Sequence, residues 1–66
     1  MDTKTFIIKI GNRVKALREK KHMTQQQLAD ISGTSIEFIK MLEEGEADTI
    51  TPQIIAAAEA FGIEVA

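Results

Sequence analysis

The sequence predicts an all-α fold, a compact four- to five-helix bundle forming one domain over residues 1–66, and three observations lead there. Apolar residues recur every three or four positions over most of the chain, the period of a helix with one buried stripe. Threonines stand just ahead of these stripes, with glutamine or glutamate three residues on or proline next in line, which are helix-opening arrangements. Glycines stand just behind them, where a chain leaving a helix turns left-handed.

The first element lies between Phe6 and Lys21, where Phe6 or Ile7, Ile10, Val14 and Leu17 keep the helical period. Gly11 costs such a helix about 1 kcal/mol, so the element spans about 6–21 or begins only near Lys9. The β-branched run TFIIKI also fits a short strand, and both readings stand. His22-Met23 breaks the pattern, and Thr24 with Gln27 forms a capping box that opens a second helix, about 25–32. That helix carries Leu28, Ala29 and Ile31 and stops at Gly33. Thr34 with Glu37 makes a second box, with Ser35 an alternative cap, ahead of a third helix, about 35–44. Its expected buried face is Phe38, Ile39 and Leu42, and Gly45 ends it. After an acidic loop from Glu46 to Ile50, Thr51 caps and Pro52 takes the first position of a fourth helix, about 52–61. Ile54, Ile55, Ala58 and Phe61 are expected to turn inward there, and Gly62 closes it. The final GIEVA alternates apolar and polar residues, the pattern of a short terminal strand.

A chain of 66 residues buries only about 60% of the surface its unfolded form exposes. With no cysteine and a lone His22, neither disulfides nor structural zinc can staple it, and no metal or cofactor is expected. Helix packing or a partner subunit must do that work. One histidine and no convergent polar constellation also speak against an enzyme. No apolar run approaches the roughly 18 residues of a membrane span and no signal peptide is evident, so the expected location is the cytoplasm. The net charge of -2 and a pI near 5.2 count against a nucleic-acid binder. That average conceals a split. Residues 1–23 carry seven bases and two acids, whereas residues 24–66 carry one base and eight acids. An anionic partner for the basic segment, self-association of opposite ends, and two ordinary solvated faces all fit this asymmetry.

The second and third helices meet through Ser32-Gly33-Thr34-Ser35, a connection of helix-turn-helix length with its frequent glycine. The stretches IGNRVKALREKK, MTQQQLADISGTS and FIKMLEEG resemble the Cro and phage-repressor (XRE-like) type of helix-turn-helix domain over about Ile10 to Ile63, with the motif itself at 24–45. Arg18, Thr24-Gln25, Leu28-Ala29, Gly33, Ser35, Ile39, Leu42-Glu43 and Gly45 fall in register. The phrase ADISGTSIEFIKMLEEGE is most similar to compact antitoxins of the HipB type, whose short chains also end in an apolar strand.

This resemblance implies a lambda-repressor-like bundle whose function is sequence-specific binding of double-stranded DNA, as a transcriptional regulator. A repressor or an autoregulating antitoxin is expected. It implies an ion pair between Arg18 and Glu43 that ties the first helix to the third, and a phosphate contact at Gln25. His22 replaces the glycine usual at that helix end, and histidine tolerates positive φ better than most residues. The third helix would enter the major groove. Facing Phe38, Ile39 and Leu42 inward leaves Ser35, Ile36, Glu37, Lys40, Met41 and Glu44 outward as candidate readers. Ser35 can bond a base edge or phosphate, Ile36 and Met41 can lie against thymine methyls, and Glu37 can accept from a cytosine amine. The same residues also fit a surface or dimer contact, with Glu37 serving only as a cap.

The stretch Thr34 to Asp48 nonetheless holds five acids against Lys40 alone, and Glu44 and Glu46 replace an asparagine and a lysine usual in the family. Phosphate attraction must then come from Arg13, Lys15, Lys20 and Lys21. A homodimer, with Ile63 and Val65 as interface candidates and Ile8 as a helper, would double weak half-site energies. The runner-up reading is a protein-interaction module on the same scaffold, whose acidic surface engages a basic partner such as a toxin.

Overall fold

The computed structural model describes residues 2–47 and 51–62. Among them lie four helices and no strand: α1 (Thr3–Lys20), α2 (Gln25–Ser32), α3 (Ile36–Glu43) and α4 (Pro52–Glu59). The expected acidic loop beyond Ala47, the terminal strand and the dimer candidates Ile63 and Val65 fall outside the described residues.

α1 starts earlier than its sequence pattern indicates, and TFIIKI is helix. Asp2 is the reason at the local level: its carboxylate accepts the Thr5 backbone N–H at 2.7 Å, a cap that satisfies one orphan donor of the first turn. The packing reason is stronger. Ile7, Ile10 and Val14 on one stripe are all buried, and each such side chain contributes roughly 1.5–3 kcal/mol when taken from water. That outweighs weak local propensity. Gly11, apparently a liability in mid-helix, is buried against the end of α3, and a Cβ there would collide with the Leu42 carbonyl oxygen. Its missing side chain lets two backbones touch. α1 ends at Lys20, after which His22 takes φ 55° and the Met23 N–H returns to the Arg18 carbonyl at 2.9 Å.

α2 opens on the full capping box: the Gln27 N–H donates to Thr24 Oγ1 at 3.0 Å while the Gln27 side chain accepts the Thr24 N–H at 2.8 Å. Leu28 and Ala29 are buried, but Ile31 is 59% exposed. The inner place that a four-residue step from Leu28 reaches belongs to Ser32, whose hydroxyl donates to the Leu28 carbonyl at 2.7 Å. The same hydroxyl lies 2.9 Å from Thr34 Oγ1. Thr34 is thereby committed to the turn, so the cap of α3 is Ser35, accepting from the Phe38 N–H at 3.2 Å, and not the Thr34–Glu37 box.

α3 buries Ile39, Leu42 and Glu43, while Phe38 is only half-buried against the core. Just past its end Gly45 takes φ 74°, and the Glu46 N–H reaches the Met41 carbonyl at 3.0 Å and fastens the turn. α4 begins as expected with Thr51 capping and Pro52 in the first turn. Its inner face is Ile54, Ala57 and Ala58. Ile55 is displaced from the expected core to 37% exposure, and Phe61 is half-buried. The Lys21 ammonium lies 6.0 Å from the Phe61 ring centroid and links the ends of α1 and α4. α2 and α3 pack on each other and both rest on this frame, α3 on α1 and α2 on α4.

Candidate nucleic-acid interface

Under α3 lies a polar knot that holds its angle. Arg18 from α1 grips Glu43 bidentately, Nε to Oε2 at 2.7 Å and Nη2 to Oε1 at 2.9 Å. Its remaining Nη1 donates to the Met23 carbonyl at 2.9 Å, at the chain's entry to α2. The two side chains are 12% and 2% exposed, and no described buried side-chain polar atom lacks a partner. Hydrogen bonding to Glu43 raises the Arg18 pKa above its ordinary value, against the opposing effect of burial. The guanidinium therefore stays charged, and the bidentate pair acts as a strut between α1, α2 and α3.

Gln25 belongs to the same knot. Its Nε2 donates to Glu43 Oε1 at 3.1 Å, and because a carboxylate only accepts, the amide must turn its nitrogen inward. A phosphate contact through this side chain is left with a single N–H. The backbone N–H groups of the first turn are the freer donors, since a helix cannot satisfy them itself.

The outer face of α3 is built differently. Ser35, Glu37, Lys40 and Glu44 are exposed. Glu37 and Glu44 stand at the crest, opposite the buried side made by Ile39, Leu42 and Glu43, and Lys40 flanks them one turn from each. Neither Glu37, Lys40 nor Glu44 forms an ion pair among the described residues. Ile36 is half-buried, and Met41, expected to point outward, is half-buried against the core. Met41 and Phe38 share with Gly33, Thr34, Ser35, Thr51 and Gln53 an open groove of about 490 Å³ where α3 and α4 begin. The outward group is thus polar in the main, and thymine-methyl contacts have less apolar surface to use than the sequence pattern indicates.

The four basic candidates are not gathered on one face. Arg13 and Lys20, seven residues apart, share one flank of α1, whereas Lys15 falls on the other. Lys15 lies between Gly11 and Arg18, which both meet the end of α3. Lys21 sits over Phe61. The described acids beside α3 include exposed Glu46, so its local surroundings are net negative. Ile8, the suggested dimer helper, is half-buried and packs toward Gly45, 3.4 Å from where that residue's Cβ would stand.

Two helices joined by a short turn at Gly33, the second held with its outer face clear of the bundle, define a helix-turn-helix domain. A family model described as a helix-turn-helix domain matches residues 11–66. The chain belongs to this family, of the XRE/Cro-like kind, whose members bind DNA and are typically not enzymes. Comparisons with curated proteins and with solved structures gave no match. No helix among the described residues is long and apolar enough to cross a membrane.

Proposed function

We propose that this protein is a sequence-specific transcriptional regulator, a repressor or an antitoxin governing its own operon, that acts in the cytoplasm as a homodimer on double-stranded DNA. The observation that carries the reading is the contrast within α3, whose inner face is tied down by Arg18 and Glu43 while Ser35, Glu37 and Lys40 stand exposed at its start and middle. A ridge so held suits insertion into the major groove, with its N-terminal residues against base edges. The start of α2 would meet phosphate through backbone amides, with Gln25 contributing the remainder of its side chain. Ser35, Ile36, Glu37, Lys40 and Met41 are the proposed readers.

Glu44 and Glu46 oppose binding by about 1 kcal/mol for each close charge near the surface, so a single subunit would bind weakly. Pairing two subunits on two half-sites restores affinity, and Ile63 and Val65 are the proposed contacts between them. Lys15 beside α3, and Arg13, Lys20 and Lys21 around the rest of α1, would supply attraction to the backbone. A second reading is favoured by Glu44, exposed and unpaired among the described residues, and by exposed Glu46: a docking face for a basic protein such as a toxin. An antitoxin can do both.

Selection of bound sites from random duplexes at moderate salt tests the first reading. Enrichment of a defined site, lost in an Ile36→Asp, Lys40→Glu double variant, is the expected result. No enrichment, or the same enrichment in the variant, would remove it. Alanine at Glu44 and Glu46 separates the two readings, since it should leave DNA binding intact or tighter but weaken a protein partner.

A further inference from the structure

Resting on the DNA-binding reading above, we propose that Glu37 and Lys40 act as one reading unit for a C·G base pair in each half-site, Glu37 accepting from the cytosine N4 amine and Lys40 donating to the guanine O6 and N7. Three observations support it. Ser35 caps α3, so the Glu37 carboxylate is released from the capping job its spacing to Thr34 offered. Glu37 and Lys40 are both exposed on the outer side of the first two turns, the part of a reading helix that meets base edges. Their spacing sets the two Cβ atoms about 5–6 Å apart, yet the side chains do not close into an ion pair. An acid and a base held side by side and left open present an acceptor next to a donor.

With Glu37 set over the pyrimidine and Lys40 over the purine, C·G is the pair that answers this pattern in full. Reading across from the pyrimidine, C·G offers a donor and then two acceptors, whereas T·A begins with an acceptor, the thymine O4. Glu37 placed against that oxygen would be repelled, and Lys40 would find a single acceptor where guanine supplies two. The orientation of the pair is therefore read along with its identity. Glu44, one turn beyond Lys40, is also exposed and forms no ion pair with it.

Site selection with the wild type, Glu37→Gln and the exchange Glu37→Lys with Lys40→Glu tests this unit. Both replacements fall at exposed positions, and circular dichroism verifies that the fold is unchanged. The wild type should select a C·G column with a preference of about tenfold over other pairs. Glu37→Gln should move that column toward adenine, the base whose N6 and N7 a glutamine amide matches. The exchange should turn it to G·C in the same half-site position. A selected site whose composition is identical in wild type and Glu37→Gln would overturn this inference and leave the DNA-binding reading standing. Failure of the wild type to select any site would overturn both.

Discussion

Glu43 and Glu37 occupy the same helix and have the same side chain, yet α3 gives them opposite circumstances. Glu43 is 7% exposed and accepts from Arg18 twice and from Gln25 once. Glu37 is exposed and unpartnered among the described residues. The difference shows that counting acids along α3 misstates what an approaching phosphate meets, because the most firmly held carboxylate is neutralised inside the scaffold. Among the described residues, what remains outside is Glu37, Glu44 and Glu46 against Lys40. A carboxylate built into a fully satisfied knot is structural, and one left open on a ridge is available for recognition.

The contrast breaks most visibly at Glu43. Replacing it by alanine strands the Arg18 charge in a nearly closed site, at a cost of about 3–5 kcal/mol. A core this small rarely supplies more than about that much in total. Glu43→Ala should therefore be largely unfolded by circular dichroism at 25 °C, whereas Glu37→Ala should melt within about 0.5 kcal/mol of wild type. Equal losses in urea melts of the two variants would end the distinction. Next in size is Gly11→Ala, which tests the other tie between α1 and α3. Helix propensity favours the alanine by about 1 kcal/mol, but the obstacle it meets is the Leu42 main chain rather than a side chain that can swing aside. Net destabilisation of about 2 kcal/mol is expected from overpacking of this kind, measured by the shift of the denaturant midpoint.

The smallest effect concerns Asp2, whose pKa lies below the ordinary aspartate value because its carboxylate accepts the Thr5 backbone N–H. A lowered folded-state pKa adds stability above the unfolded value and loses it as pH falls through the folded one. The acid limb of a stability profile below about pH 4 should thus flatten slightly in Asp2→Asn, since asparagine caps as well without titrating. An unchanged acid limb would show that the cap does not persist in solution.

How far the chain could be read in advance depended on where each residue's partner lies. α2 and α4 carry their start signals within three residues, at Thr24–Gln27 and Thr51–Pro52, and both begin where those signals indicate. The start of α1 was obscured because TFIIKI has strand-like composition and Gly11 weakens a helix. Burial of Ile7, Ile10 and Val14 against other helices decided the matter. The capping box at Thr34–Glu37 had correct spacing, but Ser32 had already engaged Thr34 across the turn. Distant pairings left no local trace: Gly11 meets Leu42, and Gln25 meets Glu43. The exposure of Ile31 was foreshadowed by the four-residue step from Leu28 to Ser32, which claims the inner position. For the proposed interface, residue types were legible, but the division of Arg13, Lys15, Lys20 and Lys21 between two flanks of α1 needed the neighbours of that helix.

The glycine-mediated touch between α1 and α3 also bears on how such a protein changes its preference over time. Since main chain rests on main chain there, the pitch of the ridge does not depend on which side chains decorate its outside. Glu37 and Lys40, the proposed reading pair, can be exchanged for other residues while the mount stays aimed. New targets are then reachable by a few surface substitutions, with no compensating change beneath them.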